Sequence, residues 1–146
     1  MKAFPPNPHR SFVHVRKIPA PHGAVLLNHI VSYLHYPGSW TSWSNTYKGP
    51  VYWSWKGHSV TLTLPKGTKA IYLYVEPNGV GKHYSQKYKV TATADGASSG
   101  PVPVSGAGGA RYFGFFARRA GASVTSVTVT CRAKYGFGFG ELGIHG

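Results

Sequence analysis

The sequence has very few acidic residues: Glu76, Asp95 and Glu141 stand against 16 Lys and Arg in a chain of 146 residues. This scarcity disfavours catalysis by a pair of carboxylates and disfavours a calcium site, because both need converging acidic side chains. The formal net charge of +13 predicts that the folded chain attracts polyanions and repels copies of itself. Charge therefore indicates a class of partner without specifying one.

Cysteine and clustered metal ligands are scarce as well. The single Cys131 cannot form an intrachain disulfide, and period-2 alternation places it on the side of two valines, so we expect a buried small hydrophobe rather than a reactive thiol. None of the eight histidines is spaced as His-x-His or as the i, i+4 pair of a zinc motif. No nucleophile elbow is present either. The sequence predicts no metal, no cofactor and no enzymatic activity.

Long apolar runs are missing too. The nearest candidate for a membrane span, residues 23–34, is interrupted by Asn28, His29 and Ser32. Residues 1–6 lack the apolar core of a secretory signal, so either the protein stays inside the cell or a signal was removed. Disorder is disfavoured, because the chain is 42% hydrophobic and 14% aromatic.

Short alternating segments separated by Gly, Pro and Asn turns fill the chain from residue 51 onward, which is typical of antiparallel β structure. One segment, 70–76, alternates aliphatic residues with Tyr72 and Tyr74. We predict an all-β fold, a single antiparallel β-sandwich of jelly-roll or immunoglobulin-like kind with about eight strands. The predicted strands are 51–55, 59–64, 70–76, 87–94, 101–104, 111–117, 123–131 and 135–144.

The N-terminal region is rich in Pro and His and shows little clean periodicity. Residues 12–15 could form a short strand, and residues 23–36 fit a helix or a strand equally well. We therefore predict an N-terminal arm or edge extension over residues 1–35 and a β-sandwich domain over residues 36–146.

Two groups of side chains are candidates for ligand binding. Aromatic residues crowd the segment 40–55, where exposed rings could stack on sugar rings or nucleobases, although we favour burial for at least half of them. Basic residues on one predicted hairpin, extended by an arginine pair, are the first cationic patch to consider; solvated charge without a ligand is the alternative. The candidates are Trp40, Trp43, Tyr47, Trp53, Trp55, Lys82, Lys87, Lys89, Arg118 and Arg119.

Four segments, in matching order over about residues 40–144, resemble a group of uncharacterised secreted bacterial proteins, some of which carry a C-terminal sorting signal of the PEP-CTERM type. The segments are 40–52, 60–68, 71–78 and 136–144, the last reading Gly-Phe-Gly-Phe-Gly-Glu-Leu-Gly-Ile. The resemblance implies an extracytoplasmic β-sandwich linked to the cell surface or the exopolysaccharide matrix, with no established activity.

The chain departs from this group in two respects. It has Gly49-Pro50 where Gly-Asp usually precedes the Val-Tyr strand, and the sorting signal is not found within residues 1–146. Its strong basicity is also not something that we associate with the group. Because Glu76 and Glu141 both fall inside the resembling segments, we expect them to be structural acids that are buried or paired with an Arg.

The combined expectation is a non-enzymatic adhesive or matrix module, extracellular or on the cell surface, whose cationic surface binds acidic polysaccharide or another polyanion. One alternative is a self-assembling subunit of a surface fibre, sheath or capsid, a homo-oligomer or filament in which the arm contacts neighbours. A second alternative is a nucleic-acid-binding β protein, although no basic helix, ribonucleoprotein motif or zinc-finger spacing is present.

Overall fold

The computed structural model describes residues 1–146, and it is all-β and antiparallel. The one helix is a 3₁₀ turn, Gly81–His83, and no helix has the length and apolar character of a membrane span. The strands are β1 (Lys2–Ala3), β2 (His14–Ala20), β3 (Gly23–Tyr36), β4 (Gly49–Ser54), β5 (Ser59–Thr63), β6 (Ala70–Pro77), β7 (Tyr88–Ala94), β8 (Ala97–Ser98), β9 (Val102–Val104), β10 (Arg111–Phe116), β11 (Ser126–Cys131) and β12 (Phe137–His145).

All twelve strands belong to one hydrogen-bonded sheet that curls until it nearly closes like a barrel. Nine of them follow one another in the order β10, β6, β12, β4, β3, β5, β11, β7, β8, while β1 pairs with β12, β2 with β3 and β9 with β7. Residues of β10 and of the β8–β9 segment line one groove, so these two ends of the sheet face each other across a gap that we call the seam. The expected division into two separate sheets is not clearly present.

The eight strands predicted from residue 51 onward are confirmed, with ends that differ by at most three residues. The ambiguous segment 23–36 is the 14-residue strand β3. It pairs with β2 along much of its length, with β5 at Leu26 and Leu27, and with β4 from Ser32 onward. Residues 14–36 are therefore hydrogen-bonded into the sheet, and the predicted boundary between residues 35 and 36 falls inside β3, one residue before its end.

The inner face of the curled sheet encloses the main core, a cluster of 27 buried residues. Alternation on β12 directs Phe137 and Phe139 inward, where both are fully buried. Burial of an apolar side chain of this size stabilises a fold by about 1.5–3 kcal/mol. Cys131 is 1% exposed in the same core, which confirms its predicted burial, and that burial raises the pKa of its thiol.

Two outward residues of β12, Gly138 and Gly140, are glycines, and two indole rings cover the bare backbone there. A Cβ at Gly138 would lie 2.9 Å from Cζ2 of Trp40, and a Cβ at Gly140 would lie 3.4 Å from Cζ2 of Trp43. Both tryptophans come from the loop between β3 and β4. With their neighbours they form a second core, whose buried members are Leu34, Trp40, Trp43, Val51 and Ala110.

A Gly138→Ala substitution is expected to destabilise the fold by about 1–3 kcal/mol, because the added methyl group would lie 2.7 Å from Cγ1 of Val51 and against the Trp40 ring. Urea unfolding followed by tryptophan fluorescence measures the loss. Gly114→Ala is the matched control: it also faces outward from a strand, but it would meet the hydroxyl end of exposed Tyr112, which can rotate away. Equal losses of unfolding free energy in the two variants would contradict the inference that packing of Trp40 and Val51 leaves no room for a side chain at Gly138.

Candidate functional site

Two neighbouring hollows of the surface lie along the seam. The first has a volume of about 450 Å³ and is bordered by the β7–β8 turn and by the end of β10 with the loop that follows. The second, about 300 Å³, lies between β10 and the β8–β9 segment. Both are lined by Ala97, Phe115, Phe116 and Arg118, so they adjoin, and we call the two hollows together the seam groove.

The edge of β10 forms one wall of the seam groove. This strand pairs with β6 on one side, from Arg111 opposite Val75 to Phe116 opposite Ala70, and has no strand partner on the other. Five consecutive residues, 112–116, line the groove, so the groove follows the edge of the strand rather than one face. Backbone N–H and C=O groups on such an edge are available to an extended ligand.

Two aromatic side chains on the outer face of β10 are exposed beside the groove. Tyr112 is 59% exposed and Phe116 is 69% exposed. The Tyr112 ring stacks on Tyr72 with 6.0 Å between centroids and meets Tyr74 edge-on at 5.7 Å. Exposed rings of this kind offer flat apolar faces to a ligand.

Cationic side chains stand at both ends of β10. Arg118 and Arg119 are exposed in the loop after the strand and border the groove. Arg111 begins the strand and borders a further cleft together with Lys87. The acid beside the groove, Asp95, accepts hydrogen bonds from the backbone N–H (2.9 Å) and hydroxyl (2.7 Å) of Thr125, so it is engaged by a neutral residue.

The aromatic residues predicted to bind a ligand lie in another part of the molecule. Trp40 and Trp43 are 6% and 7% exposed inside the second core, so their rings have little surface to offer. Tyr47 packs at the edge of that core and donates a hydrogen bond to the carbonyl oxygen of Pro50 at 2.9 Å. Burial is the main cause that raises the pKa of its hydroxyl group.

Trp53 and Trp55 are half-buried, on β4 and just after it. Their indole N–H groups already donate hydrogen bonds, that of Trp53 to a backbone carbonyl at 2.8 Å and that of Trp55 to a serine hydroxyl at 2.7 Å. The Nζ atom of Lys56 lies 5.2 Å from the centroid of the Trp55 ring. Trp53 and Phe12 border a hollow of about 430 Å³ that no charged residue lines. A ligand contact by these rings stays a prediction.

The predicted basic patch is distributed over two places. Lys82 lies in the 3₁₀ turn, with Lys87 and Lys89 at the start of β7, and all three are exposed. The Arg118–Arg119 pair lies beyond the far end of β10, whose six residues span about 20 Å. Residues that the sequence analysis did not single out lie between them on β10, namely Arg111, Tyr112 and Phe116. In segment 111–116 aromatic residues lie on both faces of the strand. This pattern is the sequence signal that could have indicated these three residues.

The glutamate on β6 is buried beneath the loop that carries the tryptophans. Glu76 is 1% exposed, and its Oε1 atom accepts a hydrogen bond from the hydroxyl of Ser42. Its Oε2 atom is buried without a partner. Burial is the main cause that raises the pKa of Glu76 to about 8, so the carboxyl group is mostly protonated at neutral pH.

The glutamate on β12 occupies the bulge of that strand, with a positive φ of 51°. Burial raises the pKa of Glu141, while contacts with Asn45 and Trp43 lower it. Its Oε1 atom and the indole N–H of Trp43 are both buried without a partner in good hydrogen-bond geometry. Hydrogen bonds to these glutamates come from neutral side chains, so the structure places them under a loop and not beside an Arg.

No group of three or more His, Cys, Asp or Glu side chains comes together in a way that could hold a metal ion. Comparison with protein-family models and with curated proteins found no match for the chain. The resemblance to secreted bacterial proteins therefore stays an expectation.

Stability is expected to fall as pH rises, because of Glu76. Its pKa is about 8 in the folded chain against a usual value of 4.5, so between these values the folded state holds a proton that the unfolded state has released. The contribution of Glu76 to stability is fully present below its usual pKa and is lost as pH rises through its folded-state pKa. Between the two pKa values the free energy of unfolding falls by up to about 1.4 kcal/mol per pH unit.

Glu76→Gln, which stays neutral, is expected to lose most of this slope when urea unfolding is followed from about pH 6 to about pH 9. Asp95→Asn removes an exposed carboxyl group instead and serves as the control, in which the slope should persist. A slope that is the same in Glu76→Gln and in the unsubstituted chain would contradict a protonated, buried Glu76.

Proposed function

We propose that the protein is a non-enzymatic adhesive or matrix module that binds acidic polysaccharide in the seam groove. The observation that carries this proposal is the arrangement along β10. Its free edge runs beside two exposed rings on the outer face of the strand, and cations lie at both ends of the strand. Tyr112 and Phe116 are the rings, and Arg111 and the Arg118–Arg119 pair are the cations.

An extended ligand suits this groove better than a compact one. The groove follows the whole of residues 112–116, and the two hollows that form it have volumes of about 450 Å³ and 300 Å³. A polymer lying along the strand edge can use the unpaired backbone groups as hydrogen-bond partners for its hydroxyl groups. Its sugar rings can pack against the faces of Tyr112 and Phe116.

The charge of the whole chain supports an acidic rather than a neutral polymer. Three acids oppose 16 Lys and Arg in the whole chain, and the groove itself is lined by two arginines and one acid. A surface with this excess accelerates encounter with polyanions and disfavours contact between two copies of the chain. Binding of this kind weakens as salt is added, since exposed charges are screened.

The expected jelly-roll or immunoglobulin-like sandwich and the extracellular or cell-surface location belong to this proposal. The curled sheet and its single main core are compatible with a flattened sandwich of that kind. The location is supported by the resemblance of residues 40–144 to secreted proteins, and by the chemistry of the ligand, since acidic polysaccharides are polymers of the cell exterior.

The test is a double substitution at the end of the groove. Arg118→Gln with Arg119→Gln is expected to weaken binding to polygalacturonate at low salt by about tenfold or more, because two charge-assisted contacts are lost. Isothermal titration calorimetry measures the affinity. Lys66→Gln with Arg132→Gln is the matched control, since it removes the same charge from exposed positions that do not line the groove.

Three outcomes would contradict the proposal. The first is the absence of binding to any acidic polysaccharide at low salt. The second is an equal loss in the two double variants, which would show that diffuse charge and not the groove binds the polymer. The third is displacement of polygalacturonate by single-stranded DNA at much lower concentration, which would favour a nucleic-acid-binding function.

Phe116→Ala is expected to weaken the same binding several-fold without changing its dependence on salt, because the ring contributes contact area and no charge. Affinities measured over a series of salt concentrations separate the two effects. Tyr135→Ala removes another exposed ring, one that does not line the groove, and should leave affinity unchanged. A changed salt dependence in Phe116→Ala, or an equal loss in Tyr135→Ala, would exclude a stacking role for Phe116.

A further inference from the structure

A cleft at the start of β10 brings two cations and a buried hydroxyl group around one space. Its volume is about 220 Å³, and one of its seven lining residues is hydrophobic. No acidic residue borders it. The lining residues are Lys87, Pro103, Val104, Ser105, Gly108, Gly109 and Arg111.

The two cations of the cleft have no partner within the protein. Arg16 and Lys69 are the basic residues whose side chains donate internal hydrogen bonds, in both cases to backbone carbonyl oxygens. Lys87 and Arg111 are exposed and keep all their donors free. Two free cations beside one small space repel each other, and this repulsion is relieved when an anion binds between them.

The third donor is the hydroxyl group of Ser105, a residue that is only 8% exposed. Its Oγ atom accepts a hydrogen bond from the backbone N–H of Gly108 at 3.0 Å. A hydroxyl group that accepts one bond still has its own proton to donate, and no acceptor for this proton exists within the protein. A buried donor of this kind, lining a cleft with two cations, is suited to an anionic oxygen.

The glycine-rich loop between β9 and β10 keeps this donor accessible and in place. A Cβ at Gly108 would lie 3.2 Å from Oγ of Ser105 and would crowd the hydroxyl group. Gly109 has a φ of 82°, and a Cβ there would lie 2.8 Å from the carbonyl oxygen of Trp43. The loop is therefore packed at Gly109 against Trp43 of the second core, and Ser105 and Arg111 flank this packed stretch.

We propose that this cleft is a binding site for a tetrahedral oxyanion, a sulfate or phosphate ester group. Two cations match a group with more than one charged oxygen, and three donors from separate parts of the chain can reach different oxygens of a tetrahedron. The guanidinium group of Arg111 can bind two of these oxygens at once, while Lys87 acts as a point charge. Because Arg111 also begins the strand that borders the seam groove, a sulfated or phosphorylated polymer in that groove extends into the cleft; this last step rests on the proposed function.

The first experiment tests the cleft alone, with inorganic sulfate and inorganic phosphate as probes. Amide chemical shifts of the ¹⁵N-labelled protein are followed during titration with each salt, at an ionic strength kept constant with chloride. We expect saturable shifts confined to residues 87 and 103–111. Arg111→Gln and Lys87→Gln are each expected to weaken this binding by about tenfold, whereas Lys66→Gln with Arg132→Gln should not.

Both substitutions replace exposed side chains, and equal melting temperatures show that the variants fold. Shifts that spread evenly over the surface without saturation would overturn the proposal. So would unchanged binding in Arg111→Gln. Glucose 6-sulfate and glucose 6-phosphate, compared in the same titration, show which of the two esters is preferred.

The second experiment separates this proposal from the function proposed for the seam groove. Dextran sulfate and polygalacturonate are compared as ligands of the Lys87→Gln variant, whose residue borders the cleft and not the groove, and of the Arg118→Gln, Arg119→Gln variant. If the cleft binds the ester, Lys87→Gln loses affinity mainly for dextran sulfate. Saturable binding of inorganic sulfate without binding of polygalacturonate would support the oxyanion site in the cleft and contradict the function proposed for the seam groove. Binding of polygalacturonate without saturable binding of inorganic sulfate would contradict the oxyanion site alone.

Discussion

A single hydrogen-bonded sheet has to wrap its inner face around one core, and the place where it stops short of closing determines what the molecule can offer a ligand. In this protein the sheet stops at β10 on one side and at β8 and β9 on the other. Closure would have used the backbone groups of both edges and buried the side chains beside them. The gap instead leaves a groove whose wall is a strand edge, with exposed rings and unpaired arginines beside it.

The second core links this gap to the rest of the sheet. Outward glycines on β12 allow the indole rings of Trp40 and Trp43 to lie on the backbone, and this packing holds the loop between β3 and β4 in place. The same loop contacts the chain just before β10, because Ser44 donates a hydrogen bond to the carbonyl oxygen of Ala110 at 2.9 Å and the carbonyl of Trp43 leaves no room for a side chain at Gly109. The start of β10, and with it Arg111, is therefore positioned by a cluster that has no charge of its own.

Strands with one face in the core and one in solvent could be predicted from the sequence, because their alternation is regular. Strand β3 could not be assigned in the same way. Its residues Val31, Ser32, Tyr33 and Leu34 are all buried, since the main core covers one face and the second core covers the other, and a strand buried on both faces has no period of two. The seam groove was also beyond prediction, because its walls come from residues 94–102, 112–119 and 122–124, whose proximity depends on how far the sheet curls.

The sequence by itself determined the antiparallel β class, the positions of eight strands and the excess of positive charge, because alternation, turn residues and net charge are local or additive properties of the chain. Only the tertiary structure decided which rings are buried and which cations stand together. Trp40 and Phe116 are both large apolar residues in β-rich segments, yet one is 6% exposed and the other 69%. The difference arises because the loop that carries Trp40 folds its ring onto Gly138 of β12, whereas no strand pairs beside Phe116 on the free edge of β10. Neither event is encoded in the residues adjacent to them.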